Sequence, residues 1–245
     1  MQVRPRAESL KQSRLFPLEP RGSRTMVSHG TGGGCPFLPT MHPIPTPSAL
    51  RKQLRGLRRG LSSTEQRSHA LALARVLGRH PAFLRATRIA LYWPADGEID
   101  PRPLMTLPQA RRKRWQLPVL RPCPFPKLWF LGYSPGEPTI RNRFGIPEPE
   151  RRNRRLRAAG SLDLLLLPLV GFDADCNRIG MGGGFYDHTL AYLRGRRYWR
   201  RPYLIGLAHE CQRVGRLPVR PWDVPLDLVV TEARVYAPVG PAKIR

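Results

Sequence analysis

Four glycines in five positions, Gly180, Gly182, Gly183 and Gly184, stand in the segment Arg178-Ile179-Gly180-Met181-Gly182-Gly183-Gly184-Phe185-Tyr186-Asp187. Glycine admits positive φ and lets a ligand approach the backbone without Cβ interference. Backbone N–H groups freed in such a loop favour anions, and Arg178 adds a planar, bidentate phosphate donor. Asp187 closes the loop, and Asp223 lies in Pro221-Trp222-Asp223-Val224-Pro225-Leu226-Asp227. Both are hard oxygen donors of the kind Mg²⁺ takes beside phosphate oxygens, although on spacing alone each is more commonly a cap or turn residue. The loop fits neither frequent nucleotide motif. No Lys follows the glycines as GxxxxGK[ST] requires, and Phe185 stands where GxGxxG needs its third glycine. A flexible hairpin or tight packing turn is the bland alternative.

Two further groups could do chemistry. Arg51, Arg55, Arg58 and Arg59 recur at i, i+4, i+7 and i+8 on a helical segment, a basic stripe able to reach phosphates or nucleic acid. Such a stripe is more often a solvated face. Trp93 and Glu98 could supply an aromatic wall and a carboxylate acceptor for a flat heterocycle. A core tryptophan and a surface acid are the ordinary alternative.

The elements that must position these residues follow from apolar periodicity. Ser48 is the expected N-cap of a first helix, with Leu50, Leu54 and Leu57 at helical spacing. Ser62 or Ser63 caps a second helix, Ser63 with Gln66 matching a capping box, and Gly78 and Pro81 end it. Short apolar runs at 89–93, 115–120, 128–133, 162–170, 203–208 and 226–230 predict strands, and 187–193 predicts the start of a helix. Helices alternating with fully apolar strands predict an α/β fold with a mostly parallel sheet. The Pro/Arg-rich stretch 101–160 is otherwise featureless. Residues 1–47 are rich in Gly, Pro, Ser and Arg and lack the means to bury a core, so they are expected to be a disordered extension, with Met26 or Met41 as the expected true start.

The 245-residue chain carries 42 Lys plus Arg against 17 Asp plus Glu, a net charge of +25. That balance suggests an anionic partner. Only five of the basic residues are lysine, beside 28 Pro and 22 Gly, as GC-rich coding would produce. The clusters Arg111-Arg112-Lys113-Arg114 and Arg151-Arg152-Asn153-Arg154-Arg155 motivate a nucleic-acid-binding reading, but no nucleic-acid motif accompanies them. Cys35, Cys123, Cys176 and Cys211 show neither metal-ligand nor disulfide spacing. The longest apolar stretch is too short to span a bilayer. A soluble, cytoplasmic protein with no membrane or nucleic-acid partner is expected.

Taken together, the motifs resemble the 5-formyltetrahydrofolate cyclo-ligases, also called 5,10-methenyltetrahydrofolate synthetases. The resemblance rests on Asn177 through Asp187, on Leu164-Leu165-Leu166-Leu167-Pro168-Leu169-Val170-Gly171-Phe172-Asp173, on Gly206-Leu207-Ala208 through Gln212, on Leu217-Pro218, and on Asp223 through Asp227 to Val230-Thr231-Glu232. It covers roughly residues 50–236 and is most specific in the glycine block. It implies a single three-layer, Rossmann-like α/β domain over 48–240, acting as a monomer. It also implies ATP- and Mg²⁺-dependent closure of 5-formyltetrahydrofolate, polyglutamated or not, to 5,10-methenyltetrahydrofolate, with release of ADP and phosphate. ATP contacts carry over to Arg51, Lys52, Gln53, Leu54 and Arg55 and to Arg178, Ile179, Gly180, Met181, Gly182, Gly183, Gly184, Phe185 and Tyr186. Folate contacts fall on Trp93, Glu98 and Met181 through Phe185, and Mg²⁺ contacts on Asp187 and Asp223. Arg178 is the expected charge stabiliser, with no covalent nucleophile. Arg51 stands where members often carry Lys, and Phe185 where Tyr is usual. A folate- or nucleotide-binding relative without cyclo-ligase activity is the other alternative.

Overall fold

The computed structural model describes residues 46–120, 126–150, 155–194 and 201–238. The expected extension, apart from its last two residues, and the cluster 151–154 lie outside these. Helix α1 spans Pro47–Arg59, beginning one residue before the expected cap. Thr46, not Ser48, is the N-cap. Its Oγ1 accepts the Ala49 N–H at 3.3 Å, and Pro47 takes the first helical position, where its missing N–H removes nothing. Helix α2, Ser63–Gly78, carries a capping box one residue earlier than Ser63 and Gln66 predict. Ser62 Oγ accepts the Glu65 N–H at 3.2 Å while the Glu65 carboxylate accepts the Ser62 N–H at 2.7 Å. Ser62→Ala is expected to destabilise the protein by about 1 kcal/mol, measured as a lower urea midpoint at unchanged m. A short α3, Pro81–Arg85, follows.

The strands are β1 Arg88–Ala90, β2 Arg114–Leu120, β3 Leu128–Gly132, β4 Thr139–Arg141, β5 Pro147–Pro149, β6 Leu164–Pro168, β7 Gly171–Phe172, β8 Arg178–Ile179, β9 Tyr203–Leu207, β10 Leu228–Val230 and β11 Val235–Tyr236. One sheet runs in the order β11-β10-β9-β6-β1-β2-β3. Its five inner strands are parallel, and β3 and β11 close the two edges antiparallel. The expected α/β architecture with a mostly parallel sheet is therefore present.

Side chains alternate across this sheet, as a period of two requires. Ile89, Leu91, Leu164, Leu166, Ile205 and Leu207 pack against Leu73 and Leu77 of α2 and Phe83 of α3. Ala90, Leu165, Leu167, Leu204 and Val229 pack on the other face against Phe172, Leu190, Leu193 and Leu226. Burial on both faces explains why these strands read as continuous apolar runs. From β1 the chain moves outward to β2, then returns to β1's other side for β6. In an open α/β sheet the crevice at such a reversal, beyond the carboxyl ends of the strands, is where ligands bind.

Within 101–160 the two expected strands pair antiparallel as β2 and β3, and the small β4–β5 hairpin appears where no element was expected. The turn of the latter is held by Asn142, whose Oδ1 accepts the N–H of Phe144 at 2.9 Å and of Ile146 at 3.1 Å. Lys113, from one of the basic clusters, is spent internally: its Nζ donates to the carbonyls of Phe83, Leu84 and Ala86 at 2.7–3.0 Å. The helix expected over 187–193 begins earlier and is shorter. Helix α4 spans only Phe185–Thr189, and a separate 3₁₀ turn covers Ala191–Leu193. No helix among the described residues is long and apolar enough to cross a membrane.

Candidate active site

The loop after β1 is built around a buried charge. Arg58 of α1 has no exposed surface. Its guanidinium donates to the Asp96 carbonyl and carboxylate, both at 2.8 Å, and to the Leu169 carbonyl after β6 at 3.1 Å. One side chain thus ties α1 to both strands flanking the reversal. Arg55 adds a 2.7 Å bond to Asp96, and Arg59 a further ion pair. Three of the four arginines in the stripe therefore converge on Asp96, Arg58 from a buried position and Arg55 and Arg59 from the helix surface. Burial pushes the Asp96 carboxyl up, but the bonds from Arg55, Arg58 and Arg59 outweigh it and hold the pKa at about 2. This depressed value contributes stability that is present above about pH 3.8 and is lost as pH falls through about 2. Asp96 has φ +54 and Gly97 φ +74. A Cβ at Gly97 would lie 3.1 Å from the Arg58 carbonyl oxygen, so the turn requires glycine there.

Glu98 lies in the same turn. One carboxylate oxygen accepts the Ala95 N–H at 3.2 Å, and Arg58 is 3.8 Å away. Burial dominates and raises the Glu98 pKa to about 7, with the charge of Arg58 only partly opposing it. Trp93 meets Tyr133 edge to face at 6.0 Å and carries the Arg102 guanidinium 4.8 Å from its ring centre.

The glycine loop is aimed by a second buried carboxylate. Asp173 Oδ1 accepts the N–H of Asp175 at 3.1 Å and of Asn177 at 2.9 Å, while Oδ2 accepts from the Asn177 side chain at 2.9 Å and the Leu217 N–H at 3.0 Å. This folds 173–177 into the turn of the β7–β8 hairpin, from which Arg178 emerges. Arg178 donates to the Val224 carbonyl at 2.8 Å and pairs with Asp187. Gly182 and Gly184 have φ +97 and +65, the left-handed region closed to most side chains. Arg51 reaches the loop from α1, its Nε donating to the Gly180 carbonyl at 2.8 Å, and a Cβ at Gly182 would face its guanidinium at 3.7 Å.

These groups line one cleft of about 1320 Å³ at the sheet reversal. Arg51, Trp93, Glu98, Arg178 through Asp187 and Asp223 all border it. Asp223 is held by the Arg220 N–H at 2.8 Å. Lys52 and Gln53 are exposed, and Leu54 is buried in packing against Gly171; none of the three, nor Arg55, borders the cleft. The residue spacing missed the opposite wall, where the β4–β5 hairpin contributes Phe144, Ile146 and Glu148. Phe144 meets Phe185 edge to face at 5.9 Å. Glu148 is buried and bonded to the Leu120 N–H at 2.9 Å and to Asn142 Nδ2 at 2.8 Å. Tyr92, which donates to the Ile99 carbonyl at 2.7 Å, and the exposed Trp222 also border the cleft.

Residues 44–232 match the family model described as the 5-formyltetrahydrofolate cyclo-ligase family. The chain belongs to that family. The match takes in α1, the 92–99 loop, the glycine loop and the Asp223 segment, all of which form the cleft. The 5-formyltetrahydrofolate cyclo-ligase of Escherichia coli is 39% identical over 183 residues, covering 75% of this chain and 98% of that protein. Its namesake from Haemophilus influenzae is 37% identical over 182 residues, covering 74% and 95%. The solution structure of the Aquifex aeolicus 5,10-methenyltetrahydrofolate synthetase superposes with a TM-score of 0.66 at 29% identity, covering 81% of this chain and 96% of that one.

Proposed function

We infer that this chain closes the ring of 5-formyltetrahydrofolate to 5,10-methenyltetrahydrofolate, consuming ATP and releasing ADP and phosphate. The observation that supports this best is the convergence, in one cleft, of a glycine loop hemmed by Arg51 and Arg178 with a buried carboxyl and an aromatic side chain. A formamide oxygen is a poor leaving group. Attack of that oxygen on the γ-phosphorus expels ADP and turns the oxygen into part of a phosphate ester. N10 of the folate then attacks the formyl carbon, loses its proton, and phosphate departs. No enzyme nucleophile is needed, so the protein's contribution is positioning and charge neutralisation.

In this reading the backbone of Gly180 through Gly184 cradles the phosphates, with side-chain contacts from Ile179, Met181, Phe185 and Tyr186. Arg51 is the contact from α1, and Lys52, Gln53, Leu54 and Arg55 act through the helix and its anchorage to Asp96. Arg178 neutralises charge that develops on the transferring phosphoryl group. Trp93, Glu98, Met181, Phe185 and the Phe144 wall hold the folate, and Arg216 and Arg220 at the cleft border suit its glutamate tail. Two carboxylates in one cleft, Asp187 and Asp223, form the all-oxygen donor set Mg²⁺ prefers. When bound there, Mg²⁺ supplies positive charge to the phosphate oxygens. The thiols of Cys176 and Cys211 suit a reducing cytosol.

The test is direct. Mixing the protein with 5-formyltetrahydrofolate and MgATP is expected to generate the near-ultraviolet absorbance of the methenyl product, and no ATP-dependent product would overturn the reading. Salt-sensitive RNA binding without nucleotide hydrolysis would favour the nucleic-acid alternative. Glu98 gives a second prediction. Its ionised form accepts hydrogen bonds from the pterin N–H groups, so KM for the folate is expected to fall as pH rises through about 7. In Glu98→Gln that dependence is expected to disappear, measured as KM against pH for the two proteins.

A further inference from the structure

Beyond the cleft, His69, His209 and Glu232 each offer one ligating atom, and the three atoms lie within 4.8 Å of one another. We propose that they form a binding site for a divalent transition ion of the zinc class. The sheet register creates it. Leu207 of β9 is opposite Val230 of β10, so His209 and Glu232, each two residues farther on, leave the parallel strands side by side. Helix α2, packed on that face, adds His69.

The distances suit coordination. His69 Nδ1 and His209 Nδ1 are 2.9 Å apart, and His69 Nδ1 is 3.6 Å from Glu232 Oε1. With metal–ligand bonds near 2.0–2.1 Å, the edges of a tetrahedral site are about 3.3 Å, midway between these values. Both oxygens of Glu232 accept the Glu210 N–H at 3.1 Å, which fixes the carboxylate plane. A hydrogen bond between the two imidazoles alone leaves the buried His209 Nε2 without a partner. Ligation at Nδ1 assigns the proton to Nε2.

The His69 and Glu232 side chains are 24% and 15% exposed, so an ion can enter and keep a water as its fourth ligand. Two imidazoles and one carboxylate select zinc, cobalt or nickel over magnesium. Since the His209 ring adjoins Gly97, the ion would brace the turn that carries Asp96 and Glu98.

Cobalt(II) is the probe, added to the full chain after chelator treatment, with Mg²⁺ in excess. The expected result is one tight equivalent giving tetrahedral d–d bands. In His69→Gln and in Glu232→Gln, both at partly exposed positions, affinity is expected to fall by more than about tenfold, the loss that even an outer partner of a ligand produces. No stoichiometric binding, equal affinity in all three proteins, or a strong thiolate charge-transfer band placing the ion on Cys211 would each overturn the proposal. None of these readouts depends on cyclo-ligase activity.

Discussion

Replacing Arg58 with alanine is expected to cost the fold about 3–5 kcal/mol, because breaking a buried ion pair from one side strands its partners. Those partners are the Asp96 and Leu169 carbonyls, with Glu98 close by, while the Asp96 carboxylate would keep only the more exposed Arg55 and Arg59. The loss is expected as a large drop in the urea or thermal midpoint, with cyclo-ligase activity lost in the remaining folded fraction, since Asp96 and Leu169 shape the cleft from both sides. Arg58→Lys is expected to rescue little. A single ammonium cannot reproduce a fork that serves a carboxylate and two carbonyls. A midpoint within the ±0.5 kcal/mol typical of surface substitutions would show that the strut is dispensable.

The second large effect is on turnover. Asp187→Asn is expected to lower kcat by roughly 10²-fold or more, on the scale of losing a preorganised electrostatic contact, while the unfolding midpoint stays close to that of the parent. Asparagine keeps the shape but neither balances Arg178 nor offers an anionic oxygen to Mg²⁺. The Asp187 side chain is 35% exposed, which is why the fold is expected to survive. Measuring kcat across a magnesium titration separates the two roles. Saturation only at higher Mg²⁺ supports Asp187 as a magnesium contact, whereas an unchanged titration would restrict it to holding Arg178.

The strands of the parallel core were legible in the sequence, since burial on both faces leaves an uninterrupted apolar run such as Leu164 to Leu167. Their order was not, because nothing in β1 or β6 records which neighbours they take. The β4–β5 hairpin escaped notice for a related reason: Pro147, Glu148 and Pro149 neither alternate nor form an apolar run. The glycine loop and its flanking Arg178 and Asp187 stood out by composition, yet their ion pair spans nine positions and leaves no periodic mark. Arg58 shows the limit most clearly. At helical spacing it is indistinguishable from Arg51, Arg55 and Arg59, and only the fold makes it the buried one. Asp96 and Gly97 carried a turn signal, but not the three guanidinium groups that meet there.

The two antiparallel edge strands also bear on how copies of the chain behave at high concentration. An open sheet edge offers a row of unpaired N–H and C=O groups on which another chain can add a strand. Here β11 is only two residues long. On the other edge, Phe130 exchanges both backbone bonds with Arg157 at 3.0 and 2.9 Å, and the Leu128 N–H is taken by Thr189 Oγ1 at 2.8 Å. The apolar strands that make the core so easy to recognise are thus kept from serving as templates for aggregation.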